Sequence, residues 1–421
     1  MKPLLLSTTD SRTGASAAAY RLLKSLNSSG VDAKMLVASK TTNDDSVYGP
    51  SSYFSKGLSI LRPTIDQLAL GFYDQSKWDL FSPQWVYDGL YSSISSLKPD
   101  VLNLHWVCGG FFRIETLSRF KIPVILSAHD LWTFTGGCHY DGGCGEFENM
   151  CGNCPVLASK KSSDLSSKVL KRKHKNWRNM DITVVGGTNW VASMAKKSSL
   201  YKAGVFKNVE VIPLAIDETK FRPVDKPSAR NILNIPISKK VIFFGATHID
   251  EPRKGMSYLS DSLSILRNLI LGASFSHDDV LLLVAGKGEP GFLKGLPFEH
   301  KEIGYLGDDT SLALAYQASD VYVCPSIEDA GPTMVAESML CGTPVVAFDT
   351  GGIPDFFEHK VSGYLAVKKE SSDLAKGLFW VLNDVDYKYV SSRAVDFALK
   401  RHSSSIVAKQ YENLYRKVLH V

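Results

Sequence analysis

Short, continuously apolar runs alternate along this chain with longer stretches whose apolar positions recur at helical spacing. Residues 3–7 form the first run, followed by a polar turn, Ser11-Arg12-Thr13-Gly14, and a helical pattern over residues 15–26. This reads as strand, loop, helix. Further apolar runs at 33–38, 101–104, 124–127 and 182–186 predict buried strands, and the intervening segments are long enough for crossover helices. Parallel strands require such crossovers. The second half repeats the grammar at 241–245, 281–285, 321–324 and 344–348. The pattern therefore predicts two α/β halves, each a doubly wound parallel sheet.

Between the halves, residues 209–231 carry three prolines and change from strand pattern to polar chain, as a linker does. The boundary is expected near Asp217, giving domains 1–216 and 217–395 and a C-terminal helix 396–421 packing back on the first domain. Residues 45–91, rich in Ser, Tyr, Trp and Phe without a clear period, predict an insertion of loops and short helices. The tail 386–421 reads as helical with a polar interruption at Ser403, Ser404 and Ser405.

A length of 421 residues exceeds what one core usually serves and agrees with two domains. With 44% apolar and 22% charged residues the composition is that of a soluble globular protein. No apolar run approaches the roughly 18–20 residues of a membrane span, and the start MKPLLLSTTD lacks the marks of a secretory leader, so a cytoplasmic location is expected. A net charge of +5 without a concentrated basic face argues against nucleic-acid binding.

The chemistry concentrates in residues 321–357, where a strand, an acidic loop, a helix start, a second strand and a glycine turn follow one another. Pro332 and Thr333 open a helix whose unpaired N–H groups suit phosphate, and Gly331 lets the backbone come close. Met334 belongs to the same first turn. Glu337, about one turn further, is placed to accept two ribose hydroxyls, and Glu328 sits on the loop at a strand's carboxyl end, where open α/β sheets bind ligands. The structural alternative is an acidic cap on an ordinary helix.

This segment resembles the carboxylate-pair motif of glycosyltransferase family 4, which has the GT-B fold, and CGTPVVAFDTGGIPD and SGYLAV match the family's following elements. The usual motif has seven residues between its two glutamates; Glu328 and Glu337 have eight between them, whereas Asp329 has seven. Glu328 is favoured, with EDAGP taken as a longer loop, and Asp329 is the alternative. Upstream, Lys254-Gly255 matches the family's diphosphate-binding lysine, Ala246 stands where an arginine is frequent, and Arg253 is a substitute for it. Cations there would stabilise charge on the departing diphosphate. His129, after the strand at 124–127, and Gly14, in the first strand-to-helix loop, match the histidine that touches the transferred sugar and the glycine beside the diphosphate.

The resemblance implies a retaining, front-face transfer of a hexose from a UDP- or GDP-sugar, metal-independent at the donor site, with the C-terminal half holding donor and the N-terminal half receiving acceptor. Asp384, Val385 and Asp386 spell the DxD of metal-using transferases but lie in a polar turn, and are read as coincidence.

Cys138, Cys144, Cys151 and Cys154 lie within seventeen residues and end in CxxC. Four thiolates at that bite suit structural zinc; an iron–sulfur cluster, disulfides and free thiols are the other readings. With HDLWTFTGGCHY, the cysteines also resemble a bacterial family 4 subgroup serving exopolysaccharides of the colanic-acid type, which implies a saccharide or lipid-linked glycan acceptor. Residues 160–179 hold eight Lys or Arg and one acid among Leu165, Val169, Leu170 and Trp177. A basic amphipathic helix of this kind predicts either peripheral contact with the inner membrane face or a solvated helix face.

Two rivals remain. A nicotinamide-dependent oxidoreductase should show GxGxxG after its first strand, which TTDSRTGAS lacks. A non-catalytic nucleotide- or sugar-binding protein of the same fold would keep the same elements.

Overall fold

A computed structural model describes residues 1–10, 14–76, 79–289 and 291–421, so Ser11, Arg12 and Thr13 of the first polar turn lie outside the described residues. The chain forms two compact units, residues 1–215 with 404–421, and residues 216–403.

The first unit begins β1 (Pro3–Thr9), α1 (Gly14–Ser28), β2 (Lys34–Ser39), β3 (Val47–Tyr48), α2 (Tyr53–Gln67) and α3 (Leu90–Ser96). It continues β4 (Val101–Leu104), β5 (Val124–Ala128), α4 (Leu165–Trp177), β6 (Ile182–Gly186), α5 (Asn189–Lys197), α6 (Ser199–Lys202) and β7 (Asn208–Val211). The seven strands form one sheet in the order β3-β2-β1-β4-β5-β6-β7. Every pairing is parallel, with Leu4 beside Leu102 and Leu104 beside Leu126. Strands covered on both faces have no solvent side to mark with polar residues, which is why β4, β5 and β6 are buried at every position.

The second unit begins α7 (Lys226–Ile232), β8 (Lys240–His248), α8 (Met256–Leu269), β9 (Val280–Lys287), β10 (Glu299–Glu302) and α9 (Asp309–Ala318). It continues β11 (Val321–Cys324), α10 (Thr333–Leu340), β12 (Val345–Phe348), β13 (Gly363–Ala366), α11 (Ser371–Phe379) and α12 (Tyr387–His402). Its six-stranded sheet runs β10-β9-β8-β11-β12-β13, again wholly parallel. Apolar clusters fill both faces, one against α9, α10 and α12 and the other against α8 and α11. Two Rossmann-like parallel-sheet units of this kind constitute the GT-B architecture.

The last helix, α13 (Ser404–Leu419), belongs to the first unit. Val407, Ala408, Tyr411, Leu414, Tyr415 and Val418 enter the core beside α1 and β1. Two tyrosines also reach the sheet: Asn103 donates to the Tyr415 hydroxyl at 2.8 Å, and the Tyr411 hydroxyl lies 3.0 Å from Ser127 Oγ. The helix of this unit thus starts at Ser404, and residues 396–402 are part of α12 in the other unit.

Three stretches bear on the sequence reading. The linker segment opens, where its strand pattern stands, in the end of β7, and its polar part holds a helix, α7, beyond the sequence expectation. The 45–91 insertion holds a full 15-residue helix, α2, where short helices were expected. In the basic stretch, Val169, Leu170, Lys173 and Trp177 of α4 are buried, so its apolar face is spent inside the unit and Lys168, Lys171 and Lys175 remain outside. Among the described residues no helix is long and apolar enough to cross a membrane. Asp386 accepts from the backbone of Lys388 and Tyr389 as the N-cap of α12, which accounts for the DxD-like triplet structurally.

Candidate functional site

In the second unit the site forms where loops leave the carboxyl ends of β8 and β11, neighbours in the sheet. After β8 a short 3-10 turn, Pro252–Lys254, delivers Arg253 and Lys254. After β11, residues 325–329 form the acidic loop. The two loops are tied by backbone: Ile327 N donates to the Arg253 carbonyl at 3.0 Å, and Arg253 Nη1 donates to the Glu328 carbonyl at 2.9 Å. Thr350 Oγ1 donates to the Ile327 carbonyl at 3.0 Å, and Gly352 N to the Asp329 carbonyl at 2.9 Å.

Two glycines make that approach possible. Gly255 has φ +74°, and a Cβ there would stand 1.9 Å from the Pro325 carbonyl oxygen. Gly351 has φ +56°, and its Cβ would stand 2.0 Å from the Asp329 carbonyl oxygen. A side chain at either position meets both left-handed strain and a backbone clash, so the acidic loop is wedged between residues that only glycine satisfies.

The charges are arranged as a compensated cluster. Lys254 Nζ lies 2.9 Å from Asp329 Oδ2, Arg253 Nη1 lies 3.4 Å from the same oxygen, and Arg253 also pairs with Glu251. Asp329 is only 5% exposed. Burial opposes its ionisation, but Lys254 and Arg253 outweigh burial and hold the carboxyl below its usual range. Asp329, the acid with seven residues between it and Glu337, thus meets both Lys254 and Arg253. Glu328, the favoured acid, meets Arg253 through its backbone carbonyl, and its side chain is part-exposed.

Helix α10 begins beside this cluster. Pro332 is its N-cap and supplies no side-chain hydrogen bond, and α8, which starts after Gly255, likewise has no side-chain cap. Elsewhere Asp164, Thr188 and Asp308 cap α4, α5 and α9 in the ordinary way. Two uncapped helix starts next to two cations form a setting for an anion such as a diphosphate. Gly331 N donates to Asp329 Oδ1 at 3.3 Å, and Thr333 and Met334 occupy the first turn, part-exposed. Glu337 lies deeper, 2% exposed, with the Tyr316 hydroxyl donating to its Oε2 at 3.2 Å.

In the first unit, His129 follows β5 and is part-exposed. Its Nε2 lies 2.9 Å from Nδ1 of His105, the residue after the adjacent strand β4. Next to it, Asp130 is held from three sides: by His139 Nδ1 at 2.6 Å, Trp106 Nε1 at 3.1 Å and Trp132 N at 2.8 Å. His139 Nε2 in turn lies 2.9 Å from Ser82 Oγ. Lys173, fully buried, donates to the carbonyls of Trp132 and Thr135 and lies over the Trp132 ring; burial lowers its pKa to about 7. His105, Trp106, His139 and Lys173 escaped the sequence reading, although LNLHW repeats the strand-then-histidine grammar of ILSAHD. Gly14 opens α1 with φ +54°, and no described residue comes within 4 Å of its Cβ position.

Cys138, Cys144, Cys151 and Cys154 line one cavity together with Asp141, Glu146, Phe147, Gly152 and Ser166. All four are free thiols, and burial pushes Cys151 up to about 12. Among the described residues no group of three or more His, Cys, Asp or Glu is arranged to hold a metal ion. The cysteines gather as the spacing suggested, without forming a ready tetrahedral set.

Comparison with known proteins bears on these features. Residues 238–384 match the family model for group 1 glycosyl transferases. The chain is 37% identical over 201 residues to a phosphatidyl-myo-inositol mannosyltransferase of Mycobacterium leprae, covering 45% of this chain and 50% of that protein. It is 30% identical over 275 residues to the same-named protein of Mycobacterium tuberculosis, covering 63% of this chain and 68% of that one. It thus spans about half the length of the first relative and about two thirds of the second. Among solved structures, sucrose-phosphate synthase from Thermosynechococcus elongatus matches with a TM-score of 0.68 at 17% identity, covering 100% of both chains. Anabaena HepE in complex with UDP and glucose matches with a TM-score of 0.65 at 16% identity, covering 99% of this chain and 100% of that one. The chain belongs to the group 1 glycosyl transferases and has the GT-B fold.

Proposed function

We propose that this protein transfers a hexose, with retention of configuration, from a UDP- or GDP-sugar to a saccharide or lipid-linked glycan in bacterial surface-polysaccharide synthesis. One observation supports this reading above the rest: Lys254 and Arg253 converge, through Asp329, beside the uncapped start of α10. In this reading the donor diphosphate takes the place of Asp329 as the cations' partner and accepts from the first-turn N–H groups around Thr333 and Met334. Glu337, oriented by Tyr316, takes the ribose. His129 meets the transferred sugar, and a leaving phosphate oxygen receives the acceptor proton, so neither an enzyme nucleophile nor a donor-site metal is required. Relatives named for mannosyl transfer to phosphatidyl-myo-inositol support a hexose and a lipid-linked acceptor, and the UDP complex of HepE supports a nucleotide donor. The outward lysines of α4 would bring the enzyme to an anionic inner membrane face.

A nucleotide-release screen with UDP- and GDP-sugars tests the activity, and a thermal shift with UDP or GDP tests the site, since a ligand of the native state must stabilise it. A shift without turnover on any donor and acceptor pair would favour the non-catalytic binding protein; no shift at millimolar nucleotide diphosphate defeats the donor site itself. A structural zinc on Cys138, Cys144, Cys151 and Cys154 is a separate proposal, resting on their shared cavity and requiring the thiols to ionise. Elemental analysis of unchelated protein should then find about one zinc per chain.

A further inference from the structure

The histidine pair at the ends of β4 and β5 contains a buried atom without a partner among the described residues. His105 is 8% exposed, and its Nε2 is buried with no hydrogen bond to any described residue. Its other nitrogen, Nδ1, is engaged with His129 Nε2 at 2.9 Å, the two rings tilted 30° with centroids 5.2 Å apart. A single proton must lie between Nδ1 and Nε2, and only two neutral arrangements place it there.

In the first, His105 carries its proton on Nδ1 and donates to His129. Its buried Nε2 is then a bare lone pair, and His129, accepting at Nε2, must carry its own proton on Nδ1. In the second, His129 donates from Nε2, and His105 must carry its proton on Nε2, a buried N–H with nothing to receive it. An orphaned buried donor is rarer than an under-used acceptor, because the lost hydration of an N–H has no compensation. Protonating either ring creates the same orphaned N–H, and on His105 it adds a buried charge as well. Asp130, the adjacent carboxylate, is already committed to His139, Trp106 and Trp132 N. Burial accordingly lowers the pKa of both rings, His129 to about 4.

We propose that His105 is a positioning residue that fixes His129 as the neutral Nδ1–H tautomer, so that His129 acts as a hydrogen-bond donor and not as a base. This rests on the reading that His129 meets the transferred sugar. There it would donate to a sugar oxygen, and removal of the acceptor proton falls to another group, in keeping with a leaving-phosphate base.

Ring-15N-histidine labelling of the full chain tests the assignment without any substrate. At pH 7.5 both His129 and His105, identified by loss of their signals in His129→Asn and His105→Asn, should show the Nδ1–H shift pattern. In His105→Leu the His129 pattern should move toward the commoner Nε2–H form; in His105→Asn, whose side-chain amide reproduces the Nδ1 donor, it should not. Turnover should fall about tenfold in His105→Leu, the worth of one hydrogen bond, and recover toward the wild-type rate in His105→Asn. An Nε2–H pattern on either ring in the wild type overturns the proposal, as does an unchanged His129 pattern in His105→Leu. If no donor is turned over but both rings show Nδ1–H, the tautomer assignment stands and the sugar-transfer reading fails.

Discussion

The two units bring their candidate residues to the ends of similar parallel sheets by opposite electrostatic means. In the second unit, charges are kept and compensated: Asp329 is nearly buried yet ionised because Lys254 and Arg253 surround it. In the first unit, charge is suppressed: His105 and His129 stay neutral because burial disfavours the imidazolium and Asp130 is already taken. The difference follows from the task proposed for each. A site for a diphosphate must hold cations ready, and an internal acid keeps them ordered until the ligand replaces it. A site for uncharged sugar hydroxyls needs direction, which a fixed tautomer supplies.

The largest expected effect comes from removing a cation. Lys254→Ala should lower turnover by about 100- to 1,000-fold, the usual cost of losing a transition-state charge partner. It should also cost about 3 kcal/mol of stability, because Asp329 is left buried with only the more distant Arg253. Adding Asp329→Asn should return most of the stability, measured by denaturant unfolding, and none of the turnover. A double variant that regains turnover would show the lysine to be merely Asp329's counter-ion.

Glycine substitutions compare the rigidity of the two sites. Gly255→Ala should destabilise by about 2–4 kcal/mol, since the clash is with backbone and both loops must move. Gly14→Ala, with left-handed strain but no described residue within 4 Å of its Cβ position, should cost about 1 kcal/mol. Equal losses in thermal or denaturant unfolding would contradict the close packing of the acidic loop.

Acid titration gives the smallest and most selective effect. His129 has its folded pKa lowered from 6.5 to about 4. The unfolded chain therefore binds the extra proton first, and stability, complete above about pH 6.5, declines by on the order of 1–2 kcal/mol as pH falls to about 4. Asp329 has a folded pKa below 3.8, so its contribution is lost only as pH falls below that value. Unfolding free energies across this range should show a shallower upper limb in His129→Asn, with His105 still contributing, and a shallower lower limb in Asp329→Asn. One common limb in both variants would remove the contrast between the units.

How much of this was readable in sequence depended on how completely an element was buried. Strands such as β4, β5, β11 and β12 are apolar at nearly every position because both faces are covered, and each appeared as an unbroken run. Edge strand β7 is exposed or half-exposed throughout, so only Val209 and Val211 mark it before the chain turns polar, and its end falls inside the stretch that reads as a linker. Helix α2 carries Pro63 internally and exposes Tyr53, Ile60 and Leu61, which hid its period. In the basic stretch the amphipathic spacing marked a real helix, α4, whose apolar side faces the unit's own interior.

The sequence by itself determined the two parallel sheets, the gathering of cysteines, and the residue types of the donor motif, because burial and turn chemistry act locally and leave periodic marks. Only the tertiary structure decided that Asp329 meets Lys254, that Gly255 and Gly351 grip the acidic loop, that the helix joining the first unit starts at Ser404, and that His105 reaches His129. Each of these is a contact between segments far apart in the chain or on neighbouring strands. Spacing along the chain carries no record of which side chain meets which until the sheets have formed.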